Sequence, residues 1–337
     1  MLRAFIKYLL RNQVLFALFI FAFCWFLIQI RDIIVSIFLS YIIMAAVMPS
    51  VTFLRKKRFP KLLAVLIPYL AIVTAIFLLI VPLVPFFITQ IQSLVTQFPM
   101  FLDRSATSFG FEIDPKQVQG YVGSEFSNVG KSALNVTTQL FGGLFSVITI
   151  FVVSFYLLMY NDALKKSLAN LFHDGSRPYV MRVFNQVNDK LGAWLRGQVL
   201  LCIFIGFFTW LGLTLMGVPY ALPLALLAGL LEVVPTLGPI LSSIPAIIIA
   251  LTVSPTMALT VVVFYILLQA LENQVLVPKI MEKAVGLNPV IVILGIMIGA
   301  NIMGISGALL AIPFISFFIV IFKSLDNKDE EPQGKTK

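Results

Sequence analysis

The chain has 337 residues, 60% hydrophobic and only 12% charged, and its 24 Lys and Arg against 15 Asp and Glu leave a net charge of +9. A mean hydropathy of +1.01 excludes an ordinary soluble domain, in which about 25% of residues are charged. The basic residues sit beside the apolar runs, where they orient a protein in a membrane, which argues against nucleic acid as the partner.

Apolar runs fall at residues 12–30, 33–54, 62–88, 140–160, 197–218, 220–251, 256–277 and 288–322. Each matches or exceeds the length of about 20 residues that a helix needs to cross a bilayer. None alternates in polarity as barrel strands do. The expected fold is an all-α polytopic membrane bundle of about eight hydrophobic segments, with amphipathic helices in two insertions.

Arg3, Lys7 and Arg11 precede the first run, VLFALFIFAFCWFLIQI from Val14, but no small-residue cleavage site follows it, so it reads as a retained helix and not a signal peptide. Only Arg31 and Asp32 part it from the second run, which predicts a tight antiparallel pair. The second run ends in Arg55, Lys56, Lys57, Arg58 and Lys61, a cluster that belongs in the cytoplasm together with the N-terminus. Residues 1–88 are therefore N-terminal membrane helices, the third bent by Pro82 and Pro85.

Residues 89–139 carry Arg104, Lys116 and Lys131 against Asp103, Glu112, Asp114 and Glu125, with no basic excess, and are placed outside. Ile91, Leu94, Val95 and Phe98 recur there at helical spacing. After a membrane helix at 140–160, residues 161–196 carry six basic residues against three acidic and are placed inside. Val180, Val183, Phe184, Val187, Leu191, Trp194 and Leu195 make one apolar face, fitted either to the membrane interface or to the bundle. His173, in the turn HDGSRP, reads as a solvated loop residue. Cys24 and Cys202 lie singly in apolar runs, with no metal-ligand or disulfide pattern, and no cofactor is expected.

Residues 197–323 contain two unusual segments. Residues 220–251 are interrupted by Pro235, Gly238, Pro239 and Pro245, and residues 288–322 by Gly299, Gly304, Gly307 and Pro313. Both are too long for a simple crossing; each is either a hairpin that enters and returns or one long kinked helix. Lys279 and Lys283 in the loop between them favour the hairpin. Residues 324–337 read as a disordered cytoplasmic tail.

An acid inside these apolar runs is a functional candidate by default. Glu232, in AGLLEVVPTLGP, is a carboxylate beside broken backbone, either an ion-coupling group or the structural partner of Arg196. Gln269, Glu272 and Asn273 share a helical face by their spacing, and Asn301 sits in the second break. Arg196 either contacts a solute, neutralises a buried acid or snorkels to the interface; Glu272 has the alternative of pairing with Lys279 near the headgroups.

GAWLRGQVLL from Gly192, GLLEVVPTLGPILSSIPAII from Gly229, LENQVLVPKIMEKAVGLNPVIVILGI from Leu271 and GANIMGISGALLAIP from Gly299 together resemble the autoinducer-2 exporter family of bacterial and archaeal membrane proteins. The four stretches occur in the family's order and spacing; the N-terminal half matches in hydropathy and segment lengths. The resemblance implies about eight membrane helices and a homo-oligomer, with a pentamer among the candidates; the expected location is the plasma (inner) membrane, with both termini cytoplasmic. The resemblance also implies gradient-driven export of autoinducer-2, or sodium or lithium for proton antiport, without nucleotide, and makes 197–323 the transport core. Ala300 and Asn301 depart from the family where a second glycine is expected beside Gly299.

Two other classes compete with transport. A membrane scaffold or regulatory oligomer would use the amphipathic stretches and carry no solute. An intramembrane protease would use Ser306 in GISG, but no histidine lies in any membrane segment and there is no H-E-x-x-H, so the chain is expected not to be an enzyme.

Overall fold

The computed structural model describes residues 13–78, 146–235, 237–281 and 288–326. The described residues are helical throughout, with no strand. In chain order the helices are α1 Gln13–Gln29, α2 Arg31–Lys56, α3 Lys61–Leu78, α4 Ser146–Met159, α5 Asn161–Asn170, α6 Arg177–Leu215, α7 Ala221–Leu231, α8 Leu237–Val253, α9 Pro255–Leu271, α10 Val277–Met281 and α11 Pro289–Asp326. A π-helical turn, Glu272–Leu276, joins α9 to α10. Pro82, Pro85, the amphipathic stretches of 89–139 and the last residues of the tail lie outside the described residues.

Among the described residues five spans are long and apolar enough to cross a membrane, namely α2, α3, α6, α9 through α10 (Pro255–Met281) and the second arm of α11 (Ser306–Ser324), or six if α4 and α5, bent by 71° at Tyr160, count as one broken span. Their outward faces carry exposed large apolar side chains such as Ile203, Phe207 and Ile266. That pattern suits lipid and not water. The protein is a multi-pass helical membrane protein.

The 39-residue α6 is the spine. Its first half buries Val187, Leu191 and Trp194 against Ile42 of α2 and Ile312 and Val320 of α11. The apolar face of residues 180–195 thus packs against the bundle. Its second half packs on α7, α8 and α9 through Ile205 and Leu213. Close approach to α7 needs glycine on both sides: a Cβ on Gly229 would stand 2.8 Å from the Cys202 carbonyl, and Gly206 and Gly229 lie against each other. Small residues bring membrane helices together in this way.

Both long apolar segments are hairpins. In the first, Leu224 of α7 shares a core cluster with Ala246, Ile249 and Ala250 of α8, so the arms fold back on each other. In the second, α11 breaks at Met303 and Gly304, where the glycine takes φ +61°. Its arms then meet: a Cβ on Gly295 would strike Ile315, and one on Gly299 would strike the Gly307 carbonyl. An unbroken helix would hold residues 295 and 315 about 30 Å apart, which excludes a single rod. Gly299 therefore packs closely despite the Ala300–Asn301 departure.

Candidate functional site

The tip of the first hairpin places Glu232. Pro235 has no N–H to give the Leu231 carbonyl, and its ring disfavours helical backbone at Val234, so α7 cannot continue. The Glu232 N–H still closes the last α-type bond to Ala228 O at 3.0 Å, after which Val233 and Val234 tighten to i−3 bonds with Leu230 and Leu231. α8 starts against this end because Gly238 lies on Leu231 and Glu232, where any Cβ would strike backbone.

Glu272 is placed by a different break. Pro278 removes one backbone donor and its ring crowds the Gln274 carbonyl. The chain ahead of it widens into the π turn whose first residue is Glu272. Such single π turns recur at functional sites.

The two acids face each other. Glu232 is 0% exposed and Glu272 1% exposed, and their carboxyls lie within direct electrostatic range. Both carboxyl oxygens of Glu232 are buried without a hydrogen-bond donor among the described residues. Gln269 Nε2 donates to Glu272 Oε2 at 3.3 Å. From α6, Gln198 Nε2 donates to the Glu232 backbone carbonyl at 2.6 Å, while its own Oε1 is buried and unpartnered. Cys202, one turn further along α6, lies near the same two acids. No lysine, arginine or histidine among the described residues forms an ion pair with either acid.

Two buried carboxylates without a counter-charge form an arrangement that a folded protein keeps only with a proton or a cation present. The unpartnered oxygens of Glu232 and Gln198, with the carboxyl of Glu272, are the hard donors that a small cation takes. Among the described residues no group of three or more His, Cys, Asp or Glu side chains forms a metal site.

Of the residues singled out in the sequence, the fold brings Glu232, Glu272 and Gln269 together. It leaves Arg196, Asn273 and Asn301 elsewhere. Arg196 is exposed and donates from Nη1 to the Ala45 and Ala46 carbonyls of α2, at 3.3 Å each. Asn273 and Asn301 are exposed. Pro235 and Gly238 shape the first tip and Pro239 is buried behind it, whereas Gly299, Gly304 and Gly307 shape the second hairpin and Pro313 lies within its returning arm. Ser306 is exposed just past the second break and His173 is exposed in the loop before α6. Gln198 was not singled out; its signal was an amide within an apolar run.

The second tip borders a separate cavity of about 550 Å³, lined by Arg31, Asp32, Ser36, Ser146, Met303, Gly304 and Ser306 among others. Arg31 and Asp32 pair there at 3.6 Å.

Comparison with known proteins agrees with this architecture. The model of the AI-2E family transporter matches residues 14–327. The chain is 26% identical over 297 residues to "Putative transport protein YrrI" of Bacillus subtilis (strain 168), covering 83% of this chain and 82% of that one. A second protein of that organism, "Putative transport protein YueF", is 24% identical over 93% of this chain and 92% of its own length. "Putative permease PerM" of Escherichia coli (strain K12) is 31% identical over 56% of this chain and 55% of its own length. The chain belongs to the AI-2E transporter family.

Proposed function

We propose that this membrane transport protein exchanges a proton for a monovalent cation, sodium or lithium, at the Glu232–Glu272 pair. One observation carries the reading: the two carboxyls share a buried site that holds no basic side chain among the described residues. One proton or one cation between them leaves the same net charge, so the two compete for one place. Binding of one releases the other. The hairpin tip that carries Glu232 moves against α6 and the π turn, opening the pair to alternate sides. Gln269 and Gln198 hold the ligand oxygens in place.

A second reading is export of a small solute of the autoinducer-2 kind, with the acid pair as its coupling site. The cavity at the second hairpin tip favours it, because its hydroxyl and charged lining suits a polar solute. In either case the protein is taken as a non-enzymatic homo-oligomer of the plasma (inner) membrane, pentameric in the form the family resemblance suggests, with both termini cytoplasmic.

Purified protein in proteoliposomes under an imposed pH gradient, monitored with a pH-sensitive dye, tests the proposal. Sodium or lithium should collapse the gradient, and Glu232→Gln should abolish that response. A solute response without a cation response favours the exporter. No response to any of them sinks transport and leaves a membrane scaffold.

A further inference from the structure

A cavity of about 610 Å³ opens between α2, the beginning of α6 and the end of α11. That volume lies within the roughly 300–1,000 Å³ of small-molecule pockets. Its walls are aliphatic and aromatic, including Ile34, Phe38, Val183, Phe184, Phe317 and Ile321. Phe38 meets Phe317 edge to face at 5.9 Å, and Tyr41 meets Phe184 in the same way at the same spacing, so the walls are interlocked.

The rim has the opposite chemistry. Lys165 Nζ stands 5.3 Å over the Phe184 ring and donates to Asn185 Oδ1 at 2.8 Å. Lys166, the next residue of α5, is exposed. Asp162 and Asp189 act on Lys165 as well, but residues 161–196 carry six basic residues against three acidic. The neighbouring Leu171 and Phe172 are 79% and 52% exposed. A stretch that presents lysines and large apolar side chains together is suited to the headgroup level of a membrane.

An apolar cleft with Lys165 standing over one wall calls for a ligand with a hydrocarbon chain and an anionic head. A second copy of this chain fits poorly, since it would bring the same basic rim from a protein of net charge +9. We propose that the cleft binds an anionic glycerophospholipid, one acyl chain in the slot and the phosphate at Lys165 and Lys166. Basic pockets between membrane helices bind anionic lipid heads on the same principle. The inference is independent of the Glu232–Glu272 reading.

The test uses the full chain in vesicles doped with phosphatidylglycerol bearing a photoreactive acyl chain, and in parallel with the matching phosphatidylcholine. In the wild type, labelled peptides should contain Val183–Val187 or Phe317–Ile321, and the anionic probe should label about tenfold more strongly. Lys165→Gln with Lys166→Gln should bring it down to the phosphatidylcholine level. Val183→Trp, which fills the slot, should remove labelling by both. Equal labelling by the two lipids, or label on the outward residues Ile203 and Phe207 at the same strength, overturns the proposal. So does an unlabelled slot that instead cross-links between copies. Should either variant fail to fold, competition on the wild type by unlabelled phosphatidylglycerol against phosphatidylcholine decides: loss of label with the first alone supports the site, and equal loss refutes it.

Discussion

Arg196 occupies the place that Pro49 leaves vacant. Pro49 lies inside α2 and has no N–H for the Ala45 carbonyl one turn back. Arg196 Nη1 donates to that carbonyl and to Ala46 O. Gly192 is needed at the same contact, because a Cβ there would strike the Ala45 carbonyl. A helix that lacks one backbone bond at its proline is thereby tied to α6 by a charged donor.

This relationship predicts that Arg196→Ala lowers stability by about 1–2 kcal/mol and leaves cation exchange per folded molecule largely intact. Pro49→Ala in the same background should recover part of the loss by restoring the backbone donor. A thermal-melt double-mutant cycle in detergent checks it. Additive effects at the two positions would show that Arg196 does not serve the Pro49 gap.

Glu232 and Glu272 should behave as a unit. Removing a buried charge that has no partner relieves a desolvation cost, so Glu232→Gln or Glu272→Gln is expected to raise stability by about 1–2 kcal/mol. Each alone should abolish exchange, and the double variant should do no worse than either. Melting curves combined with the pH-gradient assay test both halves. A single variant that keeps half the wild-type exchange rate would refute a shared site.

The hairpin glycines separate two costs. Gly299 meets the Gly307 carbonyl, so even Gly299→Ala forces the arms apart and should cost about 2–3 kcal/mol, in the manner of overpacking. Gly304 has open space for a Cβ but takes φ +61°. Gly304→Ala should therefore cost only backbone strain, about 1–2 kcal/mol. Equal melting shifts at the two positions would argue against the close crossing.

The broken segments were legible because Pro235, Gly238 and Gly304 change what the backbone can do, and backbone rules are local. What each side chain faces was less so. Arg196 and Gln198 are only two residues apart, but at about 100° per residue they point roughly 200° apart on one helix. With Gln198 turned toward Glu232, Arg196 turns away from it. Gln269, Glu272 and Asn273 share a broad face by their three- and four-residue spacing, but Glu272 and Asn273 are about 100° apart around the helix, so with Glu272 turned inward Asn273 is left exposed. Asn301 belongs to a tip that packs beside Arg31 and Asp32, a tertiary fact with no local signal. Gln198 was visible only as an amide in an apolar run, and depth in the fold is what distinguishes it.

Gln198 supports the acid pair from α6, bonding the carbonyl of Glu232 and not its carboxyl. Gln198→Leu would leave that buried carbonyl unsatisfied and free the tip to shift, at a cost of about 1–3 kcal/mol. Exchange should fall about tenfold, while Gln198→Glu should fail more severely by adding a third acid beside Glu232 and Glu272. Initial rates of gradient collapse at matched protein amounts measure both, and a Leu variant at the wild-type rate removes Gln198 from the site.

The π turn itself gives the last prediction. The Glu272 N–H still closes an α-type bond to the Leu268 carbonyl, and the π turn that follows inserts about one residue's worth of rotation between α9, which carries Glu272, and α10. Pro278 is the local reason the regular ladder is broken. Pro278→Ala restores a donor for the Gln274 carbonyl, and the segment gains by closing into regular α-helix. With α10 held by the packing of Val277 and Ile280 on α6, closing the turn swings α9 and its Glu272 by about 100°, separating the acid from Glu232 with every polar residue still present. Exchange should drop about tenfold or more with an unchanged or higher melting temperature, a combination that loss of an acid ligand through unfolding does not produce. Unchanged exchange in Pro278→Ala would mean that the π turn is held by the packing of Val277 and Ile280 on Trp194 and its neighbours, and not by the proline.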